Sequence, residues 1–268
     1  MTFRLEDGDR ISDEEERNLP TSPTDEELFE VSASGRPWVD HVFDLATNLA
    51  AERLEEISRT GESLTETRHQ QPAFRQALQE VQDGVVDQSE ITLDLPNWDP
   101  NPGGVDVIVR GSSGEPRIAA ELKLWRTDWM LWDALKMIDA LNVGDLEAAY
   151  LVMGTNETGW SSRLRACSID GKTTELFQPG EIVHDTRKLF TDNAHAWYDL
   201  LTGGTGRPTR VPAAIKTSLI TEASLSFEGK SGSLRTVRVE SASDDWIYFN
   251  PDWHGGEWPQ GVEPCEHY

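Results

Sequence analysis

The chain has 268 residues, with 48 acidic against 24 basic side chains and a formal charge of −24. That balance excludes a basic surface able to hold nucleic acid or an anionic membrane by long-range attraction, so any phosphate binding must come from a local basic site, a metal ion or a partner. Two cysteines, Cys167 and Cys265, are too few for a disulfide framework, and neither a spanning apolar run nor a charged-then-apolar leader is visible, so a cytoplasmic protein without membrane contact is expected.

Residues 1–33 are rich in acids, with Asp13-Glu14-Glu15-Glu16 and Asp25-Glu26-Glu27 on either side of Pro20 and Pro23. They read as a solvated, disordered tail, or as an arm that engages a protein partner or mimics DNA. From Pro37 to about Ser58, Val39, Val42, Phe43, Ala46, Leu49, Ala50, Leu54 and Ile57 recur at helical spacing, with Pro37 at the start and Gly61 past the end. A second, weaker helix is predicted from Pro72 to about Gln82, stopped by Gly84. Glu90 to Leu95 alternates like a half-buried strand, and Pro96 to Gly104 is a loop.

Two apolar runs follow, Gly103 to Arg110 and Arg117 to Trp125, separated by the turn sequence Gly111-Ser112-Ser113-Gly114. Both read as buried strands of a hairpin, and both carry charge: Asp106 in the first, Glu121 and Lys123 in the second. Side chains alternate along a strand, so Glu121 and Lys123 share a face opposite Ala120, Leu122 and Leu124, and hairpin pairing lets Asp106 join them. Buried charges need partners, and a divalent cation between the two carboxylates accounts for the set. After Trp125 the pattern returns to helix, with Thr127 or Asp128 as N-cap and Leu131, Leu135, Ile138 and Leu141 on one stripe, and Ala148 to Met153 is another strand. Asp185 to Leu201 reads as helix, Gly203 to Pro212 as a linker, and residues 215–249 as two or three strands joined at Gly229 to Gly232. The expected organisation is an acidic tail (1–33), an α/β core with a mixed sheet (34–202) and a β-rich C-terminal elaboration (203–268).

An αβββαβ order with an acid on the second strand and Glu-x-Lys on the third resembles the PD-(D/E)XK nuclease superfamily, the fold of many restriction endonucleases, resolvases and repair nucleases. The similarity covers roughly residues 37–155. It implies a restriction-endonuclease-like core in which Asp106 is the acidic residue, Glu121 occupies the (D/E) position and Lys123 is the motif lysine; Val105 stands where the literal motif has Pro. Members often carry a Glu on the first helix, for which Glu52 and Glu56, four residues apart on one helical edge, are preferred to Glu55.

The implied activity is metal-dependent hydrolysis of phosphodiester bonds, with DNA the expected nucleic acid, endo or exo mode open, and a role in restriction or antiviral defence. Mg²⁺ or Mn²⁺ would be held by Asp106, Glu121 and the Leu122 carbonyl, with Lys123 orienting or helping to deprotonate the attacking water. Arg126 and Lys136 are candidate phosphate contacts. The acidic tail and the C-terminal region are candidate docking segments for a protein partner, and a homodimer is compatible with the reading. The competing class is a nuclease-fold module without activity, recruited by a partner, which the charge of −24 favours.

Other constellations carry less. Glu228-Gly229-Lys230 repeats Glu-x-Lys in a Gly/Ser-rich hairpin tip with no spaced Asp on a strand before it. His254, Cys265 and His267 match no closed zinc pattern, and Gly203-Gly204-Thr205-Gly206 lacks the Gly-Lys-Ser/Thr ending of a phosphate loop. Trp246, Trp253 and Trp258 read as core or edge packing, with base stacking as the alternative.

Overall fold

The computed structural model describes residues 37–82, 84–98, 104–125, 130–142, 146–157, 160, 165–167, 173–192, 208–227 and 229–248. The acidic segment 1–33, Arg126, Thr127, Asp128, Glu228, the glycine run 203–206, and His254, Cys265 and His267 lie outside them, as do Trp253 and Trp258.

Helix α1 spans Trp38–Arg59 and buries Val39, Val42, Phe43, Ala46, Ala50 and Leu54, the predicted stripe. Pro37 precedes it, where a missing N–H costs nothing, and Gly61 at φ +82° ends it with its N–H on the Ser58 carbonyl. A π-helical turn, Glu66–Gln70, runs directly into α2, Gln71–Val81. The sheet elements that follow are β1 (Val85–Val86), β2 (Ile91–Thr92), β3 (Gly104–Val105), β4 (Val107–Arg110) and β5 (Pro116–Leu124). Helix α3 (Met130–Asn142) then leads to β6 (Ala148–Asn156). Beyond it come β7 (Arg165–Cys167), β8 (Thr173–Glu175), β9 (Glu181–Asp185), α4 (Thr186–Asp192), β10 (Arg210–Pro212), β11 (Ala214–Phe227), β12 (Lys230–Ser241) and β13 (Trp246–Tyr248).

Seven strands form one mixed sheet in the order β1-β4-β5-β6-β12-β11-β9. Only β5 and β6 are parallel, and α3 makes the crossover that a parallel pair requires. The predicted hairpin is present: Val107 faces Ala120 and Ile108 faces Ala119, and Gly114 at φ +89° supplies the left-handed turn residue. Alternation divides the core in two. Val107, Val109, Ala120, Leu122, Leu124, Tyr150 and Val152 pack against α1 and α2, whereas Ile108, Ala119, Ala149, Leu151 and Met153 pack against α3. The architecture is therefore α/β, with helices on both faces of a mixed sheet.

Three features differ from the sequence reading. The strand expected over Gly103 to Arg110 breaks at Asp106, so that β3 pairs with β2 in a separate ribbon while β4 enters the main sheet. Residues Glu90 to Leu95 contribute only Ile91–Thr92 to pairing, because Leu93 and Leu95 turn into the core beside α3; the neighbour of β4 is instead β1, Val85–Val86. Finally, β11 and β12 are not set apart from the core. β12 pairs with β6 from Tyr150 to Asn156, and Ile220, Ala223, Leu225, Phe227 and Leu234 complete the apolar layer under α1.

Candidate functional site

The C-terminal end of β5 is where chemistry collects. Strand alternation turns Glu121 and Lys123 with Ala119 toward α3, and both reach its side chains: Lys123 Nζ lies 3.7 Å from Asp133 Oδ2, while Glu121 Oε1 is in direct contact with Lys136 Nζ. Asp106 sits at the break between β3 and β4, where its side chain is free of the ladder and can bind across to β5. Its Oδ2 accepts the Leu122 N–H at 2.8 Å and its Oδ1 accepts from Gln71 Nε2 at 2.6 Å. Arg75 fixes the same residue through its carbonyl, donating from Nε at 2.9 Å and from Nη2 at 2.5 Å.

A fourth side chain arrives from the π-helical turn. Glu66 Oε1 lies 3.2 Å from Lys123 Nζ and its Oε2 accepts from the Leu124 N–H at 3.4 Å. The wider turn lets Glu66, Gln70 and Gln71 all address the strand ends: Gln70 donates to the Val152 carbonyl and Gln71 to Asp106. Lys136 is held on three sides, by Glu121, by Asp133 at 3.5 Å and by the Gly104 carbonyl at 3.1 Å.

The α3 side of the cluster is nearly dry, with Glu121 2 % and Lys136 4 % exposed, whereas Lys123 and Glu66 are part-exposed. Burial pushes Glu121 well above the usual carboxylate range, opposed by Lys136 and reinforced by Asp133 and Asp106. Glu66 is raised by burial and by Asp106, with Lys123 opposing. Burial alone would lower Lys123 and Lys136, but the surrounding carboxylates outweigh it and hold both ammonium groups charged. Three carboxylates, Glu66, Glu121 and Asp133, pair with the two ammonium groups, while the Asp106 carboxylate is held by neutral donors and its carbonyl by the Arg75 guanidinium.

Of the residues singled out from the sequence, Glu121, Lys123 and Lys136 are joined through ion pairs that share Asp133, and Asp106 is tied to the same strand through the Leu122 N–H. Lys136 is not a solvated phosphate contact, however: α3 is buried from Met130 to Ala140, which drives its ammonium onto Glu121. Glu52 and Glu56 lie on the exposed face of α1 and do not reach the cluster; on the same helix Glu55 accepts the Ser226 N–H at 2.6 Å. At Leu122 the N–H meets Asp106, which ties the expected carbonyl ligand's peptide to the first carboxylate. The second Glu-x-Lys falls on the β11–β12 turn: Gly229, at φ +76°, stands between Phe227 and Lys230, which face each other across the hairpin. Sequence reasoning missed Glu66 and Asp133. The former lies in a stretch without apolar periodicity, while the latter was discoverable as an acid three residues before Lys136 on the helix beside the motif.

Carboxylate oxygens suit a hard divalent cation, and Asp133 Oδ2 is buried without a hydrogen bond. Among the described residues, however, no three His, Cys, Asp or Glu side chains are gathered to share an ion. The oxygens are those a hard cation takes, and the Lys136 ammonium occupies the Glu121 oxygen among them. No helix among the described residues is long and apolar enough to cross a membrane. Comparisons with family models, with curated proteins and with solved structures return no match to this chain.

Proposed function

We propose that the chain is a metal-dependent nuclease of the restriction-endonuclease-like type, hydrolysing phosphodiester bonds of nucleic acid, with DNA the expected substrate. One observation supports the reading: Glu121 and Lys123 share the α3 side of β5, and Asp106, at the break before β4, accepts the N–H of Leu122 between them, in an antiparallel β1-β4-β5 meander whose last strand crosses through α3 to a parallel neighbour. The C-terminal ends of parallel strands are where α/β sheets commonly bind ligands.

Asp106 and Glu121, with Glu66 beside them, would hold Mg²⁺ or Mn²⁺, which when bound supplies Lewis acidity and a more acidic water. In the metal-free protein the neighbouring carboxylates hold Lys123 protonated, which suits a group that orients the attacking water or neutralises charge developing on the phosphoryl oxygens. Gln71, Arg75 and the Leu122 N–H hold Asp106 in place, so that its carboxylate need not be ordered when substrate arrives.

A second reading, a nuclease-fold module without activity, is favoured by the contact of Lys136 with Glu121 and by the occupation of both Asp106 oxygens. The two readings separate in one experiment. Linear and circular DNA and RNA are incubated with the full chain in Mg²⁺, Mn²⁺ or EDTA, beside Lys123→Ala and Glu228→Gln. Metal-dependent cleavage lost in the first variant and kept in the second supports the enzyme; no cleavage on any substrate with either metal favours the module.

A further inference from the structure

Building on that reading, we propose that Lys136 is the resident counter-cation of the site: its ammonium holds Glu121 until a divalent ion displaces it, so α3 carries a built-in competitor for the metal. Lys136 is an interior residue of a helix buried from Met130 to Ala140, and its ammonium is enclosed by the Glu121 carboxylate in direct contact, by Asp133 Oδ1 at 3.5 Å and by the Gly104 carbonyl, to which it donates at 3.1 Å. The ammonium and a divalent ion cannot both sit against Glu121 Oε1, since two cations at such separations repel strongly in a site this poor in water. Lys123 is not the competitor. Its ion pairs run to Glu66 at 3.2 Å and Asp133 at 3.7 Å, which leaves the Glu121 oxygen to Lys136 alone.

The displaced group has somewhere to go. Release from Glu121 carries the ammonium out of this enclosed nest toward solvent by rotation of its own side chain, so exchange needs no unfolding of α3. The Gly104 contact also joins the exchange to β3, the strand immediately before Asp106. Metal entry would therefore be sensed on both carboxylate-bearing segments at once.

The test measures Mn²⁺ binding to the full chain by calorimetry for wild type, Lys136→Met and Glu121→Gln. It is paired with acetic anhydride labelling of wild-type lysines, read by mass spectrometry with and without Ca²⁺. The expected results are Mn²⁺ binding about tenfold tighter in Lys136→Met, as for removal of a competing closed state, no such gain in Glu121→Gln, and labelling of Lys136 that rises with Ca²⁺. A wild type that binds Mn²⁺ and cleaves, with Lys136→Met binding equally well, overturns the competitor and leaves the nuclease standing. Absence of Mn²⁺ binding and cleavage in every folded form overturns the nuclease reading and the competitor with it. Should Lys136→Met fail to fold, the labelling decides, since constant Lys136 protection at saturating Ca²⁺ refutes displacement.

Discussion

Replacing Asp106 with Asn separates the structural from the chemical role of this carboxylate. In the wild type both oxygens are acceptors, from the Leu122 N–H at 2.8 Å and from Gln71 Nε2 at 2.6 Å. A carboxamide keeps one acceptor and gains a donor. The Leu122 N–H is fixed in β5, so the Asn oxygen stays there and its NH₂ faces Gln71, which can rotate to present its own oxygen. Two charge-assisted hydrogen bonds become two neutral ones, a loss of about 1 kcal/mol each. Relief of repulsion returns little, because burial already pushes Glu121 and Glu66 toward their neutral forms. A net loss of about 1–2 kcal/mol lowers Tm by roughly 4 °C for a chain of this size. Thermal unfolding in EDTA measures it, beside Asp106→Ala, which strands both donors and should cost more, about 3 kcal/mol. Cleavage should vanish in both. An Asn variant as stable as wild type in EDTA, or more so, would refute the assignment of Asp106 as a bonded strut of the metal-free protein.

Three other outcomes are expected. Burial lowers His184 from 6.5 to about 4, so the folded protein keeps it neutral while the unfolded chain takes up a proton below pH 6.5. This contribution to stability is complete above that pH and falls by roughly 3 kcal/mol on acidification to about pH 4, and a comparison of urea titrations of wild type and His184→Gln across this window should show the difference. Gly154→Ala places a Cβ 2.6 Å from Leu124 Cδ2 and 3.1 Å from Phe227 Cζ, so it should destabilise by about 1–3 kcal/mol in denaturant titration. Glu66→Gln should reduce metal-dependent cleavage by about 10–100-fold, whereas Glu52→Gln and Glu56→Gln should match wild type; the reverse order would return the supporting role to α1.

What the sequence made legible was whatever strand and helix periodicity controls. The faces of α1, the β4–β5 hairpin, the side of β5 shared by Glu121 and Lys123, and the helix after it all follow from apolar spacing. The break at Asp106 did not, because the run from Gly103 to Arg110 is uniformly compatible with a strand and only the pairing of β3 with β2 splits it. Glu66 was hidden for a different reason: it is delivered by a π-helical turn, whose register no 3.6-residue pattern signals. The burial of Lys136 was hidden too, since a lysine near the middle of an amphipathic stretch looks solvated until the opposing carboxylate is known.

The union of β12 with β6 has a consequence for how the protein is made. Strand β6 is bound on one side by β5, close in sequence, and on the other by β12, roughly eighty residues later by the residue numbers of the register. During synthesis every residue of the charged cluster is present while β6 still shows an unpaired, uncharged and largely apolar edge and α1 lacks the cover of Leu225, Phe227 and Leu234. Such long-range closure is slow, and an open edge of this kind invites pairing between chains. Interrupting the chain near residues 203–212 should therefore yield an N-terminal piece that retains every charged group of the site and aggregates before it can use them.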